Sequence, residues 1–371
     1  MPKNSVFVNG FESVCCAGEN CEALFEAICK QQSGVNVYSE FTPNKEVALG
    51  KIKKPFSIEA LLELTCKKVL ERSGLENFEH TLLVVGSSVG GMQITEEIFL
   101  KEHAYTNIDP KLHVIDAIAH LLSSKFSFQD DISFSTACTS SANALGYAYE
   151  IIAKGVYKNV LVVGFDTLSL TTIRGFDALG VLSASACKPF DVSRDGMNVA
   201  EGIAVLLLQN EPHETSVELR GVGYSSDAHH MAHPSPDGVG ALSAMQKALK
   251  CAGIEPSAVG YVNAHGTGTQ ANDESEACAI ETLFGSNVFV SSTKSITGHT
   301  LGAAGALEAI ICVMALQKQI LPPNTHLSEP ENKTLNLVSR AKAHTFRYAL
   351  SNSLAFGGNN TSLLFGLPDE G

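Results

Sequence analysis

The feature that most constrains this chain is an alternation of short, β-branched apolar runs with longer stretches of helical periodicity. Runs at 5–8, 81–86, 132–135, 159–164 and 202–209 read as buried strands. A second set reads the same way at 217–223, 260–264, 288–291, 349–353 and 361–366. Between them, 58–73, 140–154, 240–252 and 305–317 carry apolar residues at helical spacing. Elements alternating in this way predict an α/β fold. The 371 residues allow two units or one large one. The two sets look like halves. In the first, a strand ending at Ser135 runs through a tight turn into a helix that opens Ser140-Ser141-Ala142. In the second, a strand ending near Ser292 leads into a helix that opens near Gly302-Ala303-Ala304. A duplicated α/β unit follows, with halves 1–212 and 213–371 and a boundary near 211–216.

Composition removes several function classes. The chain is 44% hydrophobic and 18% charged, which supports a sizeable core and excludes disorder. Its net charge of −13 is a poor electrostatic match to nucleic acid or an anionic membrane. The greasiest stretch, 301–316, contains Glu308 and falls short of the ~20 apolar residues of a membrane span. The start reads Met1-Pro2-Lys3-Asn4-Ser5 with no signal-peptide core, so a cytoplasmic location is expected. The ten cysteines include no CxxC and no pairing with histidine at metal spacing. Reduced, mostly buried thiols are expected, and no metal.

One cysteine stands apart. In Phe134-Ser135-Thr136-Ala137-Cys138-Thr139-Ser140 a strand feeds a turn and then a helix. Cys138 at that helix start would meet free N–H groups and the positive end of the helix dipole, which favour thiolate and can bind an oxyanion. Taken alone, this cysteine reads more readily as a small buried residue, because a nucleophile needs partners. Two histidines change the balance. Asn263-Ala264-His265-Gly266-Thr267-Gly268-Thr269 and Lys294-Ser295-Ile296-Thr297-Gly298-His299 each follow an apolar strand. Open α/β sheets place their sites at the carboxyl ends of strands, and glycine beside each histidine admits close approach.

With these blocks, Pro189-Phe190-Asp191, Arg194-Asp195-Gly196 and Ser353-Leu354-Ala355-Phe356-Gly357-Gly358-Asn359-Asn360 occur in order from about residue 80 to the end. The sequence resembles a 3-oxoacyl-[acyl-carrier-protein] synthase, a condensing enzyme of the thiolase-like superfamily, closest to the elongating type. The Cys-His-His set separates this type from thiolases and from initiating synthases. The resemblance implies duplicated thiolase-like halves in a layered αβαβα architecture. It also implies a decarboxylating condensation of a Cys138-bound acyl chain with malonyl carrier, in fatty-acid or in polyketide or polyene synthesis. Cys138 is then the nucleophile, and the N–H groups of Cys138 and Phe356 form the oxyanion hole. His265 and His299 stabilise the enolate. Lys294 supports them electrostatically, with Glu276 and Glu308 in its network. Thr267 and Thr269 contact the phosphopantetheine arm carried by the substrate, and no free cofactor is expected.

Departures from the family pattern bear on the acyl chain. Phe356 holds the gating position, but Ala355 replaces the hinge glycine beside Leu354. Val89 and Met197 stand where relatives usually have isoleucine and phenylalanine, which implies a reshaped acyl pocket. The resemblance, with Gly298, Gly302 and Gly305 permitting close packing, predicts a homodimer or a heterodimer with a related subunit. The acyl carrier protein is the expected partner. Lys51, Lys53 and Lys54 match a basic segment that faces the acidic carrier in relatives. The competing reading is a non-catalytic, chain-length-determining partner subunit. The presence of Cys138 and both histidines weighs against it.

Overall fold

The computed structural model describes residues 4–42, 45–53 and 57–369. Eleven strands form one sheet: β1 (Phe7–Cys15), β2 (Thr81–Gly86), β3 (Asp131–Phe134), β4 (Asn159–Asp166), β5 (Gly202–Gln209), β6 (Val217–Ser226), β7 (Val259–Asn263), β8 (Phe289–Ser291), β9 (Asn336–Leu337), β10 (Tyr348–Leu354) and β11 (Asn359–Gly366). Their spatial order is β9-β8-β7-β10-β11-β6-β1-β5-β4-β2-β3.

That order contains a repeat. Counting β1 to β5 as one to five, the first half runs three-two-four-five-one. Counting β6, β7, β8, β10 and β11 in the same way gives the same order. The directions repeat as well. β2 lies parallel to β3 and β4, and β5 is antiparallel to β4 and β1. β7 lies parallel to β8 and β10, and β11 is antiparallel to β10 and β6. The halves join where β1 pairs antiparallel with β6, Phe7 opposite Glu218.

Strand periodicity builds the layers. Side chains alternate across a sheet. Leu83, Val85, Leu161, Val163, Ile203, Val205 and Leu207 face the outer helix Ile58–Glu71 and its neighbours. Leu82, Val84, Val160, Val162, Ala204, Leu206 and Leu208 face inward. There they meet two central helices, Ser140–Ala153 and Ala304–Lys318. The second half repeats the pattern, with Ala349, Leu363 and Phe365 inward and Val262, Leu350 and Leu364 outward. The outward set packs on the helices Val239–Ala252 and Gln270–Phe284. The two halves of the sheet lie on either side of the central helices, so helix, half-sheet, helix, half-sheet, helix gives five layers, as the resemblance implies. Both sheet faces are covered, so the strands read as unbroken apolar runs.

Small residues let the two central helices touch. A Cβ on Gly305 would fall 2.6 Å from the Ala142 Cβ, and a Cβ on Gly298 would fall 2.6 Å from the Ala200 Cβ. These contacts lie within one chain. The close packing expected between subunits at Gly298, Gly302 and Gly305 is therefore corrected to packing between the halves. The Leu301–Lys318 stretch is long and apolar enough to cross a membrane, but 89% of it is buried in the fold as a core helix. The Gln270–Phe284 helix escaped the sequence pattern because its buried face is polar, with Asn272, Asp273, Ser275 and Glu276 inside. All ten cysteines are free thiols.

Candidate active site

The turn after β3 is tight. Ala137 adopts the left-handed conformation at φ 53°, uncommon for a residue with a Cβ. Ser88 Oγ, at 2.9 Å, and Ser140 Oγ, at 2.6 Å, both donate to its carbonyl. The strained turn presents Cys138 ahead of the Ser140–Ala153 helix. In the second half, the His299 backbone is clamped to the first. Its N–H donates to the Asn198 carbonyl at 2.7 Å, and its carbonyl accepts from the Ala200 N–H at 3.0 Å.

Three groups converge. His299 Nε2 lies 3.0 Å from Cys138 Sγ. The His265 and His299 rings stand edge to face with centroids 5.1 Å apart. Lys294 Nζ sits 3.3 Å from His265 Nδ1 and donates to the His265 carbonyl at 2.6 Å. An ammonium only donates, so Nδ1 accepts and the ring proton belongs on Nε2, the far side of the ring from Lys294. Lys294 also pairs with buried Glu308. Glu276 fixes the histidine loop by accepting the N–H groups of His265 and Gly266, each at 2.8 Å, and the Asn352 amide at 3.1 Å. Glu276 is fully buried, not the surface charge that its acidic neighbours suggest.

Burial governs the protonation states. It pushes the Cys138 thiol up to about 12, against the nearby Lys294 charge, while Asp166 and Glu308 add to the rise. The thiolate expected from the helix start is thus corrected to a resting thiol: desolvation outweighs the favourable charges. Burial and the Lys294 charge hold both histidines well below their usual value, so both are neutral. Burial raises Glu276 and Glu308 to about 7 each, opposed by backbone donors in the first and by Lys294 in the second. A neutral imidazole 3.0 Å from a thiol can take its proton.

The donor atoms of Cys138, His265 and His299 lie within 4.8 Å of one another, close enough to hold a metal ion. The Lys294 ammonium, 3.3 Å from His265, opposes a divalent cation there.

A cavity of about 590 Å³ opens over these groups. Cys138, His265, His299, Thr267, Thr269, Met197, Leu354 and Phe356 line it. Thr267 Oγ1 and Thr269 Oγ1 share a hydrogen bond at 2.9 Å. Phe356 sits at the mouth, 37% exposed, with its ring 5.8 Å from that of Phe176. Val89 does not line this cavity. It packs in an apolar cluster with Met197, Leu168, Ile173 and Leu301. Lys51 and Lys53 also lie off the cavity lining. Lys51 Nζ stands 5.6 Å from the Phe41 ring centroid, and Lys53 borders a separate cavity with Lys68 and Leu61. Lys54 falls outside the described residues.

The sequence reading missed two groups. Phe176 belongs to the unpredicted helix Leu170–Ala178. Asp166 is a carboxylate at the carboxyl end of β4, a position that would have flagged it.

Comparison with known proteins fits this geometry. The beta-ketoacyl synthase N-terminal domain family matches residues 57–213, and the C-terminal domain family matches residues 216–328. The 3-oxoacyl-[acyl-carrier-protein] synthase 2 of Vibrio cholerae is 34% identical over 412 residues, covering 98% of this chain and 99% of that protein. Among solved structures, a chain of the Xenorhabdus doucetiae ketosynthase ApeO in complex with its chain length factor ApeC superposes with TM-score 0.89. It is 31% identical, with 98% of each chain covered. A chain of the AntDE:AntF complex, a type II polyketide acyl-carrier protein with its ketosynthase bound to the hexaketide, gives TM-score 0.88 at 26% identity, with 100% of each chain covered. This chain belongs to the beta-ketoacyl synthase family.

Proposed function

We propose that the protein is a β-ketoacyl-[acyl-carrier-protein] synthase that joins an acyl chain to malonyl carrier with loss of CO2. The carrying observation is the 3.0 Å approach of His299 Nε2 to Cys138 Sγ inside the cavity, with the His265 Nε2 proton directed away from Lys294. His299 takes the thiol proton as Sγ attacks the acyl thioester. The tetrahedral oxyanion is held by the N–H groups of Cys138 and Phe356, and the carrier thiolate leaves and takes a proton from water, so that His299 keeps the thiol proton on Nε2. Malonyl carrier then binds with its arm along Thr267 and Thr269. Breaking the C–CO2 bond leaves an enolate whose oxygen accepts from the two imidazoles. Its carbon attacks the acyl-Cys138 carbonyl, the C–S bond breaks, 3-oxoacyl carrier departs with the new C–C bond, and the Cys138 thiolate recovers its proton from His299.

Lys294, held by Glu308, keeps the His265 tautomer fixed. Met197 and Leu354 shape the acyl site, with Val89 in the layer behind Met197. The family matches, ending at 213 and starting at 216, support halves 1–212 and 213–371. We place the protein in the cytoplasm as a dimer that takes acyl carrier protein, approached over Lys51, Lys53 and Lys54. The half-exposed edge strand β3 and the ketosynthase–chain length factor complex among its structural neighbours support pairing with a ketosynthase-like subunit. The second reading, a chain-length-determining partner, has that same neighbour in its favour. The full Cys-His-His set opposes it.

Incubating the protein with acyl carriers and weighing the Cys138 peptide tests the reading. An acyl adduct followed by 3-oxoacyl product supports it. Neither adduct nor malonyl decarboxylation overturns it.

A further inference from the structure

Asp166 closes β4 and is completely buried, yet it lies outside the cavity lining. Its carboxylate gathers donors from both halves. Oδ1 accepts the Ser87 hydroxyl at 2.6 Å and the Val89 N–H at 3.0 Å. The Ser88 N–H lies 3.0 Å from both oxygens. Oδ2 accepts the Gly302 N–H at 2.6 Å.

The tied segments lead directly to the reacting groups. Ser88, held by its N–H, donates its hydroxyl to the Ala137 carbonyl, the residue in the left-handed conformation just before Cys138. Gly302 lies three residues after His299, in the turn before the Ala304–Lys318 helix. The approach there is so close that a Cβ on Gly302 would fall 2.5 Å from Ser88 N and 2.8 Å from Asp166 Oδ2. A charged acceptor makes stronger hydrogen bonds than a neutral one, and burial keeps water from competing.

We propose that Asp166 is a positioning residue for the condensation: it ties the Cys138 turn to the segment following His299 and so sets the approach of Sγ to Nε2. The inference rests on the function proposed above and adds a residue that touches no substrate. It has a second consequence. The charged groups acting on Cys138 are Lys294, which favours the thiolate, and Asp166 and Glu308, which oppose it, while both histidines are neutral. Asp166 therefore helps to keep the resting thiol protonated until substrate arrives.

Asp166→Asn in the full chain separates these effects. Asn keeps an oxygen for Ser87, Ser88 and Val89 but turns an amide donor toward the Gly302 N–H. Loosened alignment predicts a kcat lower by about 30-fold with KM for the carriers within about twofold. Loss of the charge predicts that iodoacetamide alkylation of Cys138, followed by mass spectrometry, moves to lower pH. A wild-type kcat together with a wild-type alkylation profile overturns the proposal. If Asp166→Asn does not fold, Ser88→Ala decides, because it cuts only the tie to the Ala137 carbonyl and leaves the carboxylate in place. That variant is expected to lose about five-fold in kcat with an unchanged alkylation profile. A wild-type kcat in Ser88→Ala then overturns the proposal. Failure of the wild-type chain to condense would overturn the proposed function instead. The alkylation profile needs no condensation and reads the charge effect independently.

Discussion

The two halves share one strand order and direction pattern, yet they present their chemistry differently. In the first, the turn after β3 offers a nucleophile at the cavity wall, next to the left-handed Ala137 and less enclosed than the histidines, and β3 itself is a partly exposed edge. In the second, the turns after β7 and β8 offer imidazoles 1–2% exposed, and β9 covers the β8 edge. Cys138 must meet a large acyl thioester, so it needs an opening. The histidines must donate hydrogen bonds to a developing charge, and a donor is worth most where water is excluded. Duplication supplied two equivalent strand ends, and burial assigned them different work.

The sharpest way to break this division is Cys138→Ala. It should lower condensation by more than ~10³-fold while leaving the melting temperature nearly unchanged, since the lost atom borders a cavity. Turnover close to wild type from a purified variant would mean that the first half does not hold the nucleophile.

The second half is tested by His265→Ala and His299→Ala. Loss of an enolate donor should slow malonyl decarboxylation by ~10²–10³-fold in each. Only His299 touches Sγ, so only His299→Ala should also slow acyl transfer to Cys138. Equal acylation defects in both variants would erase the distinction between the histidines.

A stability test asks what holds the first half's 188–196 loop against the second. Asp191 is buried and accepts from Ser193, Ser328 and Glu329. Burial alone would raise its carboxyl, but these donors hold it well below the usual range. A depressed carboxyl contributes stability above its unfolded pKa and loses it as pH falls through the folded one. Asp191→Ala should therefore cost about 2–4 kcal/mol at pH 7, with the gap narrowing below about pH 4 in urea melts. A gap independent of pH would assign the loss to packing.

The smallest expected effect concerns the surface. Charge reversal at Lys53 and Lys54 should slow association with acyl carrier protein by a few-fold and flatten its salt dependence. Turnover of a small pantetheine thioester should be spared. Equal loss with both substrates would mean that the lysines support the pocket. No loss with either would leave them as ordinary solvated residues.

Much of the site was legible because its residues sit in short local motifs. Cys138, His265 and His299 each lie in a strand-to-turn pattern that local periodicity exposes, and alternating apolar runs sufficed for the α/β class. Other features were not local. Glu276 looks like surface charge in Asp273-Glu274-Ser275-Glu276 until the helix turns it inward onto the His265 loop. The glycines at 298, 302 and 305 announce close packing, but the first half against which they press is more than a hundred residues away for each contact with Asp166 or Ala142.

By itself, the sequence determined the two sets of strands, the residue types at their ends and therefore the class of chemistry. Those follow from side-chain alternation and from the reactivity of thiol and imidazole, both properties of a few neighbouring residues. Tertiary structure alone decided that Cys138 rests as a thiol, that Lys294 fixes the His265 tautomer, that Val89 lies behind the cavity wall, and that Asp166 ties the halves together. Each of these depends on desolvation and on contacts between distant segments, and neither exists until the layers have packed.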